Sequence, residues 1–181
     1  MNTKPLISFV PALWVLAGAC TAPLAIPDTL VPAPEAAFTM RVPAKGFQVY
    51  ECRNAKGGGF EWAFVAPDAD LLDARGQVIG RHGAGPYWQA ADGSRIVGAV
   101  KARADAPAAG AIPWLLLSAR NDGPAGTFSQ VVAIQRVNTH GGLAPAEGCG
   151  TQSVGQRARI PYTADYRFFT TNTKGIQHVQ R

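Results

Sequence analysis

Side chains that could carry out chemistry are concentrated in one stretch of the chain, residues 81–100. His82, Trp88, Asp92 and Arg95 fall within fourteen positions there, between Gly-rich turns and β-type alternating segments. An imidazole can act as a general base or a metal ligand near neutral pH, and an indole ring can provide a stacking surface. We therefore expect the main candidates for catalysis or binding in this stretch.

His82 is the strongest single candidate for catalysis, because it precedes a Gly turn at the end of an apolar segment. Asp92, or His140 in the segment NTHGG, could act with it in a small hydrolase or lyase, and the three together could form a metal site. The simpler alternatives are a His bonded to a neighbouring turn and an Asp that stabilises its own ADGS turn. No spacing requires a metal, so we predict none. A nucleophilic Ser94 would need a base that the sequence does not reveal.

Among the tryptophans, Trp88 is the candidate for an exposed binding surface. Trp62 and Trp114 lie in apolar runs and are expected in the core, whereas Trp88 is surrounded by turn and polar residues in PYWQA. With Tyr87 and Arg95, it is predicted to bind a sugar or an aromatic ligand. Core packing is the alternative for Trp88.

The arginines Arg95, Arg120 and Arg136 have two interpretations. Each could form a surface ion pair with a carboxylate, or could anchor an anionic ligand. The net charge is +5, but no basic stripe is interleaved with aromatic residues, so no nucleic-acid partner is expected.

Several motif-defined enzyme classes are excluded. The chain has no GxSxG, no HExxH and no phosphate-binding P-loop sequence. Gly83-Ala84-Gly85 begins like a dinucleotide-binding fingerprint, but Trp88 stands where the third Gly is required. We therefore predict no cofactor.

Composition and patterning indicate an all-β fold. Charged residues make up 16% of the chain, and the 20 Gly and 14 Pro favour turns over long helices. Short alternating segments such as FQVYECR, RIVGAVKAR and TFSQVVAIQRV are separated by turn residues. This spacing predicts one antiparallel β-sandwich or barrel-like domain of about eight to ten strands over residues 42–170, followed by a tail at 171–181.

Residues 1–19 have the layout of a secretory signal, with one Lys, an apolar run and a small-residue end. Because Cys20 follows Ala-Gly-Ala, the site resembles a lipobox as well as an ordinary cleavage site. Residues 20–41 are rich in proline and are predicted to form a tether. We expect an exported protein that is lipid-anchored through Cys20 in the cell envelope, or otherwise periplasmic or secreted.

Three cysteines are an odd number for an exported protein. Lipidation of Cys20 would leave Cys52 and Cys149 to form a disulfide. Such a bond closes a loop of nearly a hundred residues and contributes about 4 to 5 kcal/mol on chain-entropy reasoning. Two free buried thiols are the alternative.

Five blocks of sequence resemble a secreted family known as domain of unknown function 3455, over about residues 42–169. They are VPAKGFQVYECR, WAFVAPDADLLDARGQVIGRHGAGPYWQAADGSRIVGAV, IPWLLLSA, IQRVNTHGGLAPAEGC and PYTADY. The resemblance implies an exported, β-rich domain, but it implies no mechanism. The family pattern usually has an aromatic residue after the His, where this chain has Gly83.

These observations predict an exported binding or structural module for a small or saccharide-like ligand. Residues 82–95 and the loop 138–149 are the expected ligand surface. The enzymatic alternative is the small hydrolase or lyase that uses His82 with Asp92 or His140.

Overall fold

The protein is an eight-stranded antiparallel barrel in a computed structural model that describes residues 24–172. Each strand pairs with the next along the chain, and the last pairs with the first, which closes the barrel. The strands are β1 Ala36–Asn54, β2 Phe60–Leu72, β3 Val78–Gly83, β4 Tyr87–Ala90, β5 Arg95–Ala104, β6 Trp114–Asn121, β7 Val131–Gly141 and β8 Arg157–Thr171. The prediction of an all-β, antiparallel sandwich or barrel-like domain with about eight to ten strands is confirmed, with eight strands in a closed barrel.

Two predicted features lie outside the described residues. These are the signal sequence at 1–19 with the lipidation site at Cys20, and nearly all of the C-terminal tail. Among residues 24–172, no helix has the length and apolar character needed to cross a membrane.

The period-two alternation of the strands separates the barrel interior from its outer surface. On β8, Tyr162, Ala164, Tyr166 and Phe168 are buried in the central apolar cluster, and the residues between them face the other side. Eight strands enclose an interior that side chains can fill or that can hold one small ligand.

One end of the barrel, which we call the closed end, carries the β2–β3, β4–β5 and β6–β7 connections. Phe128 in the β6–β7 connection is 1% exposed and stacks on Phe168 inside the barrel, with ring centroids 4.8 Å apart. The Asp92 carboxylate accepts hydrogen bonds from Thr127 N at 2.8 Å and Thr127 Oγ1 at 2.7 Å. Ser94 Oγ donates to Asp92 at 2.6 Å and accepts from Phe128 N at 3.1 Å. These bonds hold Phe128 in place.

The opposite end, which we call the open end, is braced by the disulfide. Cys52 at the end of β1 is bonded to Cys149 in the β7–β8 connection, which confirms the predicted pair. Tyr50 OH donates to Gly142 O at 2.6 Å, and Trp62 Nε1 donates to Glu147 O at 2.8 Å. Trp62 was expected in the core but is only partly buried, because its ring lies at this end and bonds the loop.

The segment before β1 packs on the outside of the barrel. A short 3-10 helix at Asp28–Leu30 places Leu30, 0% exposed, against Trp114 and Val137. Gln135 Nε2 donates to Leu30 O at 2.6 Å. The predicted tether at 20–41 therefore contributes to the fold in its described part, and β1 begins ahead of residue 42.

Candidate functional site

An interior cavity of about 500 Å³ lies between the packed closed end and the open end. It is bordered at the open end by the β3–β4 turn and the β5–β6 connection, through Gly85, Pro86, Ile112 and Pro113. Its remaining wall is largely apolar and aromatic, formed by side chains that include Phe64, Val65, Trp88, Val100, Leu115 and Leu117. Both size and lining are typical of a pocket for a small organic molecule.

His82 and Trp88 form the most ordered part of this wall. They are cross-strand neighbours on β3 and β4, and both side chains point into the barrel. Their rings stack with centroids 4.3 Å apart and planes 17° apart. Tyr166 packs edge-on against both rings, at 4.9 Å from His82 and 5.3 Å from Trp88. Gly98 on β5 provides the space for the Trp88 ring, because a Cβ at position 98 would lie only 2.8 Å from Trp88 Cζ3.

The prediction that Trp88 is an exposed platform is wrong, and the core alternative is confirmed. Its side chain is 1% exposed. The polar surroundings in PYWQA come from residues on the opposite face of a short strand, since neighbouring side chains in a strand point in opposite directions. Trp88 nevertheless borders the cavity, so a molecule inside the barrel would contact it.

His82 is neutral in this environment. Its Nδ1 lies 2.7 Å from Tyr87 O, and since a carbonyl oxygen only accepts, the proton is on Nδ1. Burial lowers the pKa of His82 to about 3, and the positive charge of Arg136 acts in the same direction. The other ring nitrogen, Nε2, is left as an acceptor. No residue among 24–172 donates a hydrogen bond to it.

Arg136 of β7 places a permanent positive charge at the cavity wall. Its Nε and Nη2 donate to Pro113 O, at 3.2 and 2.8 Å. No Asp or Glu lines the cavity, and none in the described part of the chain forms an ion pair with Arg136. Burial raises the pKa of Tyr50 and Tyr166, against the opposing effect of the Arg136 charge, so both phenols stay protonated near neutral pH.

Two buried N–H groups in the cavity wall lack acceptors. Within the described chain, neither Trp88 Nε1 nor Gln48 Nε2 has an acceptor in hydrogen-bonding geometry. Burial raises the pKa of the Tyr162 hydroxyl, and the Gln48 amide opposes this shift. A buried donor without a partner costs free energy, typically about 1 to 3 kcal/mol. The cavity therefore presents several donors, and a ligand that carries acceptor atoms would satisfy them.

The three candidate catalytic residues are not brought together. His82 lies inside the barrel, Asp92 lies in the β4–β5 turn at the closed end, and His140 is exposed beside an outer depression. Within residues 24–172, no group of three His, Cys, Asp or Glu side chains is placed to hold a metal. Asp92 instead fits the alternative interpretation, in which it stabilises its own turn. Its carboxylate accepts hydrogen bonds from Ser94 and Thr127, and these bonds lower its pKa.

Tyr87 and Arg95, the other predicted ligand-binding residues, lie away from the cavity. The Arg95 guanidinium stacks over the Tyr87 ring at 4.4 Å and pairs with Asp122 at 3.3 Å. The Tyr87 ring also fills the space beside Gly83, where an added Cβ would lie 2.6 Å from Tyr87 Cε1. A side chain at position 83 could therefore not be placed without moving Tyr87.

Arg136 and Gln48 are the polar residues of the cavity whose interior position was not predicted. The alternation of TFSQVVAIQRV does contain a signal, because Arg136 is in phase with the fully buried Ile134. Because arginine side chains are mostly exposed in proteins, this shared phase was not taken to mean that Arg136 faces the interior.

Comparison with known proteins gives one family. The model of a family described as "Protein of unknown function (DUF3455)" matches residues 32–170, which covers almost the whole barrel. No curated protein and no solved structure matches the chain.

Proposed function

The chain belongs to the DUF3455 family of proteins of unknown function, and we propose that it is a binding module that holds one small, mainly apolar molecule inside its barrel. The observation that carries the proposal is the cavity of about 500 Å³ with an apolar wall and unpaired N–H donors. A buried donor without a partner costs stability, and a ligand with acceptor atoms inside the cavity would offset that cost.

The lining favours an aromatic or aliphatic ligand over a saccharide. A sugar hydroxyl is both a donor and an acceptor, whereas the two buried N–H groups of this wall that lack partners in the described chain, Trp88 Nε1 and Gln48 Nε2, can only donate. The stacked pair of His82 and Trp88 and the edge of Tyr166 provide aromatic surface for an apolar body. Specific polar groups would then orient the ligand.

Catalysis by His82 with Asp92 or His140 has less support. A histidine with a pKa of about 3 is a weak base, and the two proposed partners lie outside the cavity. Among residues 24–172, no Asp or Glu lines the cavity to orient or activate the imidazole.

We also propose that the protein is exported, with its mature chain beginning at Cys20. The Cys52 to Cys149 disulfide supports this proposal, because such bonds persist mainly in oxidising compartments. Intact-mass analysis of native protein tests it. Loss of residues 1–19, with or without the added mass of acyl chains, is expected, whereas a chain that retains Met1 would contradict export.

Binding can be tested with a neutral fluorescent probe, N-phenyl-1-naphthylamine, and a variant that fills the cavity. Val100 borders the cavity and is exposed at its mouth, so Val100→Trp should weaken probe binding at least tenfold. Val154 is similarly exposed but lies outside the cavity, so Val154→Trp is the matched control and should bind like the wild type. Equal affinity of the two variants would refute the proposal.

A further inference from the structure

The position of Arg136 distinguishes it from the other arginines. Most arginines on the outer surface are paired with carboxylates: Arg41 with Asp165, Arg81 with Asp70, Arg95 with Asp122, Arg157 with Glu51 and Arg159 with Asp68. Others lack a carboxylate partner in the described chain, but Arg75 and Arg103 are exposed to solvent, and Arg167 donates to Gln135. Arg136 also has no carboxylate partner within residues 24–172, and it lies at the wall of a cavity that no Asp or Glu of the described chain lines. Among the described residues, its positive charge at the cavity is therefore unbalanced.

From this imbalance we infer that the ligand is an organic carboxylate, whose anionic group pairs with Arg136 while its apolar body packs against Trp88. The inference rests on the proposed binding function and specifies the class of ligand. A planar carboxylate matches the N–H geometry of a guanidinium, and the partly buried position of Arg136 reduces solvent screening of the pair.

The Arg136 guanidinium is already oriented by the protein itself. Its two hydrogen bonds to Pro113 O fix its orientation from the β5–β6 connection at the border of the cavity. Arginine has five N–H groups, so donors remain for a ligand after these two bonds. A side chain that is already oriented loses little conformational freedom when the ligand binds.

The surroundings of Arg136 also favour an anion. His82 is neutral, and the phenols of Tyr50 and Tyr166 remain protonated near neutral pH, so no negative charge in the lining repels a carboxylate. The unpaired Trp88 Nε1 and Gln48 Nε2 could donate to further acceptor atoms. Arg103, an exposed residue that also lines the cavity, adds a second positive charge that attracts anions toward it.

The effect of ligand charge can be tested with three compounds that share a phenyl ring on a three-carbon chain. They are the anion 3-phenylpropionate, the neutral 3-phenylpropionamide and the cation 3-phenylpropylamine. Each competes with N-phenyl-1-naphthylamine for the wild-type protein at pH 7.5. We expect the carboxylate to bind at least tenfold more tightly than the amide, and the amine to bind most weakly. Equal affinity of the carboxylate and the amide would overturn the inference.

Variants assign the preference to Arg136. Arg136→Gln should abolish the difference between carboxylate and amide while still binding the neutral probe, and Arg136→Lys should keep part of the difference. Arg159→Gln removes a paired arginine on the outer surface and should leave the preference unchanged. If Arg136→Gln does not fold, judged by circular dichroism, Arg136→Lys still decides, because lysine keeps the charge but not the planar set of N–H groups; an undiminished preference in Arg136→Lys would contradict pairing of the carboxylate with the Arg136 guanidinium.

The two proposals fail differently. If the neutral probe binds and Val100→Trp blocks it, but charge has no effect, the cavity binds ligands and only the carboxylate inference is wrong. If neither the probe nor any of the three ligands binds, the binding function itself is wrong.

Discussion

His82 and Trp88 face each other across β3 and β4, with their rings stacked 4.3 Å apart inside the barrel wall. The stack leaves the imidazole buried at 3% exposure and neutral, with its Nδ1 proton shared with the Tyr87 carbonyl. The two residues that seemed to be separate candidates for catalysis and for binding thus form one structural pair. Several expectations follow from this pair and from its supports.

Stability should decrease on mild acidification because of His82. Its pKa is lowered from 6.5 to about 3 on folding, so between these values the unfolded chain binds a proton that the folded protein does not. The free energy of unfolding should therefore fall as pH decreases below 6.5, by at most about 1.4 kcal/mol per pH unit, and this contribution should be flat above 6.5. Urea unfolding at pH 7.5, 6.5, 5.8 and 5.0 measures the slope.

His82→Phe tests whether this residue causes the slope, because it keeps an aromatic ring opposite Trp88 and cannot be protonated. The exposed His140→Gln is the control and should retain the wild-type slope. Asp92 and Glu51, whose pKa values are lowered in the fold, stabilise it above their unfolded values of 3.8 and 4.5 and lose that effect only at lower pH. A slope that survives in His82→Phe would show that another group is responsible.

Loss of the disulfide should lower the free energy of unfolding considerably. Cys52 and Cys149 are 97 residues apart in sequence, and a disulfide that closes a long loop restricts the unfolded chain strongly. The double variant Cys52→Ser, Cys149→Ser should lose about 4 to 5 kcal/mol of unfolding free energy on chain-entropy reasoning. Urea unfolding with and without dithiothreitol measures the effect. The wild type should respond to the reductant and the double variant should not; identical midpoints for the oxidised wild type and the variant would rule out this stabilisation.

Asp92→Asn should loosen the closed end of the barrel. The variant weakens the charge-assisted hydrogen bonds from Thr127 and Ser94, so amide exchange in residues 124–130 should become faster and the thermal midpoint should fall. Asp73→Asn is the matched control, because Asp73 accepts only from Arg75 N and Gln77 N in its own turn. Unchanged exchange around Phe128 in Asp92→Asn would contradict this role.

Gly98→Ala should disturb the stacked pair directly. The new methyl group would lie 2.8 Å from Trp88 Cζ3 and 3.3 Å from Leu117 Cδ2, and overpacking of this kind usually costs about 1 to 3 kcal/mol. We expect a lower unfolding midpoint and altered near-ultraviolet circular dichroism. Gly57→Ala has nothing within 4 Å of the new atom and should resemble the wild type. Identical spectra for both variants would mean that Trp88 does not pack against Gly98.

Features that depend on nearby residues in the sequence could be predicted before the structure was known. Alternating segments and turn residues were enough to predict an antiparallel β domain, and the lipobox-like position of Cys20 left Cys52 and Cys149 as the predicted pair, which the structure confirms. The Asp92 turn was likewise predictable, because its hydrogen bonds to Ser94 are local. The bond from Asp92 to Thr127 was not, since it joins two turns that only the barrel brings together.

Phe60, Trp62 and Phe64 illustrate the limit of alternation. The pattern predicts that they share one core face of β2. That prediction is wrong for Phe60 and Phe64, which are exposed near the open end, because alternation does not say how deeply a face is buried. Trp114 shows the converse case, because it is buried on the outer surface by Leu30 from the segment before β1.

By itself, the sequence predicted the all-β class, the disulfide and the family, because these depend on local periodicity, turn chemistry and residue type. Only the tertiary structure decided which residues share the interior. Closure of β1 on β8 directs one face of every strand inward, and this turns Arg136, His82 and Trp88 toward one cavity while it leaves His140 and Asp92 elsewhere. Periodicity tells which residues lie on the same side of a strand, but only the closed sheet determines which side becomes the inside.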